Sequence, residues 1–154
     1  MDDKIKKIRE SEKRSHIEIY SSETLYQTDS WLKKPIKAVT DILPLFHDYK
    51  ELKVLDLGCG VGRNSICIAR KYKHINCTID CVDLLELAIE KLQLNANEYD
   101  VQSYMNGIVL PIEDYTIPPQ RYDLILSVSA LEHVATNDIF LAKLAEIRDG
   151  IRTI

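Results

Sequence analysis

Glycine is scarce in this chain: there are five in 154 residues, and three of them, Gly58, Gly60 and Gly62, fall within five positions. Apolar runs are short, and none approaches the roughly 20 residues that a membrane-crossing helix needs. The first residues are charged and lack the apolar stretch of a signal peptide. There is no basic excess either. Lys and Arg total 20 against 24 Asp and Glu, a formal net charge of −4, which argues against nucleic acid as the main partner. The basic residues near the start (Lys4, Lys6, Lys7, Arg9, Lys13, Arg14) are offset by Asp2, Asp3, Glu10 and Glu12, so a solvated arm or helix is expected there. The four cysteines, Cys59, Cys67, Cys77 and Cys81, lack the spacing of a zinc knuckle. They read as buried, reduced thiols of a cytoplasmic protein with no metal site. Repeats and low-complexity tracts are also missing. With 45% hydrophobic residues, the chain can form one domain that buries roughly 70% of its unfolded surface.

The clustered glycines organise the rest. Val54-Leu55-Asp56-Leu57 reads as a short strand, apolar on both sides of its pleat, which belongs inside a helix-covered parallel sheet. It breaks into Gly58-Cys59-Gly60-Val61-Gly62 and then opens a helix over 64–72. Glycines at such a turn permit positive φ and a close approach of ligand to backbone, and the amides at the helix start are expected to face the ligand. The spacing G-x-G-x-G differs from the G-x-G-x-x-G of nicotinamide-binding proteins, because Arg63 stands where the third small residue should fall.

On these residues, V-L-D-L-G-C-G-V-G-R-N-S resembles motif I of the class I S-adenosylmethionine-dependent methyltransferases, and its R-N-S ending is similar to their small tellurite-resistance-type branch. The resemblance covers about residues 30 to 150. It implies S-adenosylmethionine as cofactor and a small-molecule methyl acceptor.

The remaining pattern alternates. Leu32, Ile36, Val39, Leu43 and Phe46 predict an amphipathic helix with Pro35 in its first turn, ending near Leu43 before Pro44. Strands are expected over 76–82, 107–112 and 122–128, and helices over 84–96 and 137–148. Phe140, Leu141, Leu144 and Ile147 of the last helix should face inward, and Gly150 should stop it. The fold class is therefore α/β, a Rossmann-like doubly wound parallel sheet of about four strands, preceded by an N-terminal helical segment; the resemblance to the class I methyltransferases implies the strand order 3-2-1-4. Residues 1–30 form a charged and polar arm and lid, and 31–154 the cofactor-binding domain.

Ligands of such sheets sit outside the carboxyl ends of the strands. Asp83 ends the second strand, 25 positions after Gly58, where a ribose-binding carboxylate should stand, with Leu84 beside it. Asp83 followed by Glu86 also matches a helix N-cap, and the two roles are compatible. The resemblance places Gly58, Cys59 and Gly60 against the cofactor and Asp56 near its ammonium, directly or through water. Where the family often has Asp beside the adenine, this chain has Pro111. That leaves the Ile112 backbone N–H and the Glu113 carboxylate as the groups for the base. Ser127-Val128-Ser129-Ala130-Leu131-Glu132-His133 resembles motif IV, with the Ser127 carbonyl toward the ammonium. His133, taken as the one histidine near the site, either accepts a proton from a hydroxyl or thiol substrate or merely closes the pocket roof. Tyr20, Tyr26 and Trp31 are lid and substrate wall by the same analogy, or else core packing. The chemistry implied is an in-line displacement, in which positioning alone supplies roughly 7–11 kcal/mol.

A complete core of this family has seven strands and this pattern accounts for four, stopping at Ile151-Arg152-Thr153-Ile154 where a fifth should begin. The expectation is a truncated product, or a second copy or another chain covering the apolar edge of the fourth strand. Two other readings stand beside the methyltransferase: a non-catalytic S-adenosylmethionine-binding module or partner subunit, and, less favoured, an NAD(P)-binding oxidoreductase.

Overall fold

The computed structural model describes residues 3–153; Asp2 and Ile154, used above, lie outside the described residues. Helix α1 (Asp3–Ser22) leads through a turn region to α2 (Lys37–Ile42) and the 3-10 turn Leu43–Phe46. The alternating part follows: β1 (Glu51–Leu57), α3 (Ser65–Tyr72), β2 (Asn76–Asp83), α4 (Glu86–Glu98), β3 (Met105–Val109), β4 (Leu124–Leu126) and α5 (Asn137–Gly150). All pairings are parallel, as the alternating pattern predicts, and the sheet order is β3-β2-β1-β4, as the family resemblance implies. In register, Asp56 lies opposite Cys81 on one side and Leu126 on the other, and Asp83 lies opposite Val109.

β1 is the centre because its side chains are buried on both faces. Leu52 and Val54 pack with Ile66, Ile68 and Ala69 of α3 and Ile89 and Leu92 of α4. Leu55 and Leu57 pack on the opposite face with Val82, Ile117 and Tyr122, where Ile147 of α5 joins them. Helices thus cover both faces, and burial of these apolar chains is the main driving force for the sheet.

Several expectations are corrected. The helix predicted from Leu32 begins only at Lys37, because the chain before Pro35 is held away from the helical region and Pro44 is accommodated in the tighter 3-10 turn. The third and fourth strands are shorter than predicted, at five and three residues. In α5, Leu141 and Leu144 are exposed, while Lys143 is buried. The helix is rotated about its axis because the Lys143 ammonium donates to the Tyr115 carbonyl at 2.7 Å and to Glu146 at 2.9 Å. Gly150 is the last residue of the helix, not a left-handed stop. A Cβ there would come within 2.5 Å of Ile117, so close packing requires the glycine. The start of the fourth strand is not bare. Ile151 bridges Tyr122 in parallel, and the Arg152 amide donates to the Tyr122 carbonyl at 2.9 Å. None of the described helices is long and apolar enough to cross a membrane.

Candidate active site

The carboxyl ends of all four strands open into one cavity of about 500 Å³. A cavity of this size holds a drug-sized or cofactor-sized molecule. Its floor is the glycine turn. Gly58 has φ +76° and Gly60 φ +54°, values that L side chains rarely adopt. A Cβ on Gly58 would meet Ala130 Cβ at 2.5 Å, and one on Gly60 would stand 2.7 Å from the Tyr20 hydroxyl. The turn is bound to the end of β2: the Gly58 and Cys59 amides both donate to the Val82 carbonyl, at 2.8 and 3.0 Å. The Gly60 amide donates to Asp83 Oδ2 at 2.9 Å. These three amides therefore do not face the cavity as free donors. Their bonds instead fix the turn against the neighbouring strand.

Asp83 is buried on the cavity wall, and its other oxygen accepts the Leu85 amide at 2.9 Å. The helix N-cap is Leu85, so Asp83 is not the cap. Burial pushes the Asp83 carboxyl above its usual range, and the two amide bonds pull it back only in part. Each oxygen spends one lone pair on an amide and keeps the other for a further donor. Leu84, Cys59, Ile112 and Glu113 also line the cavity.

Asp56 and Ser127 do not. Asp56 is buried beneath the turn and accepts the Ser65 hydroxyl at 2.5 Å. Burial pushes it up to about 6, against the pull of the Ser65 hydroxyl. The Ser127 hydroxyl is buried without a hydrogen-bond partner, one residue before the wall residues Val128 to Ala130. Glu113 is on the wall but engaged. Arg9 donates to both its oxygens at 2.9 and 3.1 Å, and the Ala135 amide donates at 3.2 Å. Burial works to raise Glu113, but these donors outweigh it and hold the carboxyl below its usual value.

The roof is α1. Lys6, Arg9, Glu10, Glu12, Lys13, His16 and Tyr20 recur at helical spacing on the side facing the cavity. Arg9 also donates to the His133 carbonyl at 2.9 Å, and Glu12 lies 3.0 Å from His133 Nδ1. His16 stacks on Tyr20 and meets the His133 ring edge-on, each pair 5.9 Å apart. His133 is therefore not the one histidine at the site. Sequence reasoning missed Arg9, Glu12 and His16 because the charged N-terminus was read as solvated; the spacing 6, 9, 13, 16, 20 was the available signal. Trp31 lines the cavity with Arg63 over its ring at 5.4 Å. Tyr26 does not: it packs edge-on to Tyr99, and its hydroxyl donates to the Arg63 carbonyl at 2.5 Å.

A sheet of this order with a glycine turn and a strand-end carboxylate around one cavity matches what known proteins share with this chain. The family model described as a methyltransferase domain matches residues 54–151. The chain belongs to the class I S-adenosylmethionine-dependent methyltransferases. Ubiquinone biosynthesis O-methyltransferase of Bartonella quintana is 30% identical over 100 residues, which is 64% of this chain and 38% of the relative. (S)-coclaurine N-methyltransferase of Thalictrum flavum is 30% identical over 118 residues, 71% of this chain and 31% of the relative. This methyltransferase chain thus matches less than two-fifths of the length of either relative. The same fold occurs in a methyltransferase of Thiobacillus denitrificans solved with S-adenosyl-L-homocysteine, at TM-score 0.62 and 17% identity over 87% of this chain and 49% of that one. A Haemonchus contortus phosphoethanolamine N-methyltransferase reaches TM-score 0.69 at 15% identity, over 94% of this chain and 30% of that one. The cofactor of the family is S-adenosylmethionine.

Proposed function

We propose that this chain binds S-adenosylmethionine in the cavity beneath α1 and transfers its methyl group to a small-molecule acceptor. The observation that carries this reading is the Asp83 carboxylate, buried on the wall and clamped by the Gly60 and Leu85 amides with one lone pair of each oxygen left over. Two such lone pairs suit the two hydroxyls of a ribose, each bond to a charged acceptor worth roughly 1.5–3 kcal/mol. Gly58, Cys59 and Gly60 form the surface on which the cofactor rests. Leu84 and Ile112 offer apolar contact to the adenine, and Ile112 also its backbone N–H. Glu113 serves that end through its tie to Arg9 more than as a free acceptor. The Ser127 carbonyl serves the ammonium end, while Asp56, buried behind the turn and bonded to Ser65, supports the turn from below.

The bound cofactor supplies an activated methyl on a sulfonium. The chain's own residues align and enclose. Residues 1–30 cover the domain formed by 31–154, and α1 keeps water from the acceptor end, where His133 stands as proton acceptor. The setting is a reducing cytoplasm, in keeping with four free thiols. The non-catalytic module remains a second reading, favoured by the prior engagement of both Glu113 and His133 with α1.

Calorimetric titration of the chain tests the cofactor. S-adenosylhomocysteine should bind and NADH should not; absence of S-adenosylhomocysteine binding ends the methyltransferase reading. Turnover across an acceptor panel separates it from the non-catalytic module.

A further inference from the structure

The cofactor site gives no task to Glu12, yet this residue holds the cavity's His133. Their contact is 3.0 Å, from Glu12 Oε2 to His133 Nδ1. A carboxylate has only acceptors, so Nδ1 must carry the proton, and a neutral imidazole then presents Nε2 as an acceptor. His133 Nε2 has no hydrogen-bond partner among the described residues and is not a buried, unsatisfied atom, while the ring lies on the cavity wall. The residue is held at two further points, its backbone carbonyl by Arg9 at 2.9 Å and its ring by the edge-on ring of His16.

We propose that Glu12 is a positioning residue that sets the tautomer of His133, and that the acceptors of this chain are accordingly hydroxyl compounds. The inference rests on the methyltransferase reading above. A thioether or a neutral amine attacks a methyl through a lone pair it already has, and a thiol ionises far more readily than a hydroxyl, so a held acceptor nitrogen serves a hydroxyl most. A hydroxyl is a poor nucleophile until its proton leaves, and a base within hydrogen-bond reach removes that barrier. In the step, the O–H bond breaks and its proton passes to His133 Nε2. The oxygen lone pair forms the new C–O bond, and the electron pair of the broken C–S bond stays on sulfur. The imidazolium that results lies against the Glu12 carboxylate.

The test is made on the full chain by long-range 1H–15N spectra of the imidazole nitrogens. Four histidines give four patterns, and the His133 pattern is identified by its loss in His133→Asn. The wild-type chain should show His133 protonated at Nδ1. Glu12→Ala, on a partly exposed helical position where alanine favours the helix, should convert the majority to the Nε2–H form. The same variant should bind S-adenosylhomocysteine within about twofold of wild type, since Glu12 contacts His133 at the acceptor end and none of the residues assigned to the cofactor. Catechol added to the S-adenosylhomocysteine-saturated wild type should move the His133 Nε2 resonance, and should leave it in place in Glu12→Ala. A wild-type His133 protonated at Nε2, a tautomer unchanged in Glu12→Ala, or no response to catechol overturns the proposal. Failure of S-adenosylhomocysteine to bind removes the cofactor reading instead, and the tautomer measurement still decides the role of Glu12.

Discussion

The floor and the roof of the cavity are held by different forces. In the floor, strand-end groups and the glycine turn are tied together: Asp83 to the Gly60 and Leu85 amides, Asp56 to Ser65, and the Gly58 and Cys59 amides to Val82. The roof, α1, buries none of its residues and rests on ion pairs and rings at Arg9, Glu12, His16 and Tyr20. Bonds inside a buried sheet form only when the chain folds and break only when it unfolds. Half-exposed pairs are screened by salt and compete with water. The floor is therefore a fixed template, whereas the roof is held by contacts that can open locally without disturbing the sheet.

Gly58→Val should break the floor outright. It forces a β-branched residue to positive φ and sets its Cβ against Ala130, for a loss of roughly 3–5 kcal/mol in urea unfolding. Acidity separates the two walls by sign. Asp56, raised by burial to about 6, favours the folded state most fully below the ordinary Asp value, and that stability is lost as pH rises through 6. The loss is up to about 3 kcal/mol, and Asp56→Asn should flatten the slope between pH 4 and 6.5. Glu113 in contact with the roof runs the other way: its depressed carboxyl stabilises above the usual Glu value and ceases to do so as pH falls. Urea midpoints that rise between pH 4 and 6.5 in the wild type, and rise equally in Asp56→Asn, would contradict the assignment.

The floor was also the part legible in the sequence. An apolar strand, three clustered glycines and a carboxylate at the next strand end are local features, and their periods and spacing carry over directly into β1, the turn and Asp83. Alternation implied a parallel sheet, and the strand order followed from the family resemblance. The roof was not legible in the same way, because a charged helix with no apolar stripe gives no sign of what it packs against. Arg9 finds Glu113 across 104 positions, and Glu12 finds His133 across 121. Such pairs depend on tertiary placement alone. The misreading of α5 has a similar source: of four apolar residues that marked a face, Ile147 does pack on the core, but Leu141 and Leu144 are exposed while a hydrogen-bonded lysine takes an inward place. Asp56 illustrates the remaining gap. A motif places the residue at the strand end, yet only the structure reveals that Ser65, eight residues into the following turn and helix, has already claimed its carboxylate.

Two ligand-binding measurements sharpen the contrast between the walls. Asp83→Ala removes the floor's unspent lone pairs and should weaken S-adenosylhomocysteine by more than tenfold in calorimetry, consistent with the loss of bonds to a charged acceptor. Unchanged affinity would remove the ribose assignment. Arg9→Ala should have the smallest effect. It deletes a pair whose partners are 28% and 18% exposed, together with the bond to the His133 carbonyl, so global stability should fall by less than about 1 kcal/mol. Its signature lies elsewhere. Amide hydrogens of α1 should exchange faster while those of β1 and β2 keep their protection, because the roof then opens on its own. Equal acceleration in helix and sheet would mean that the two walls open as one unit, and the division between template and cover would fail.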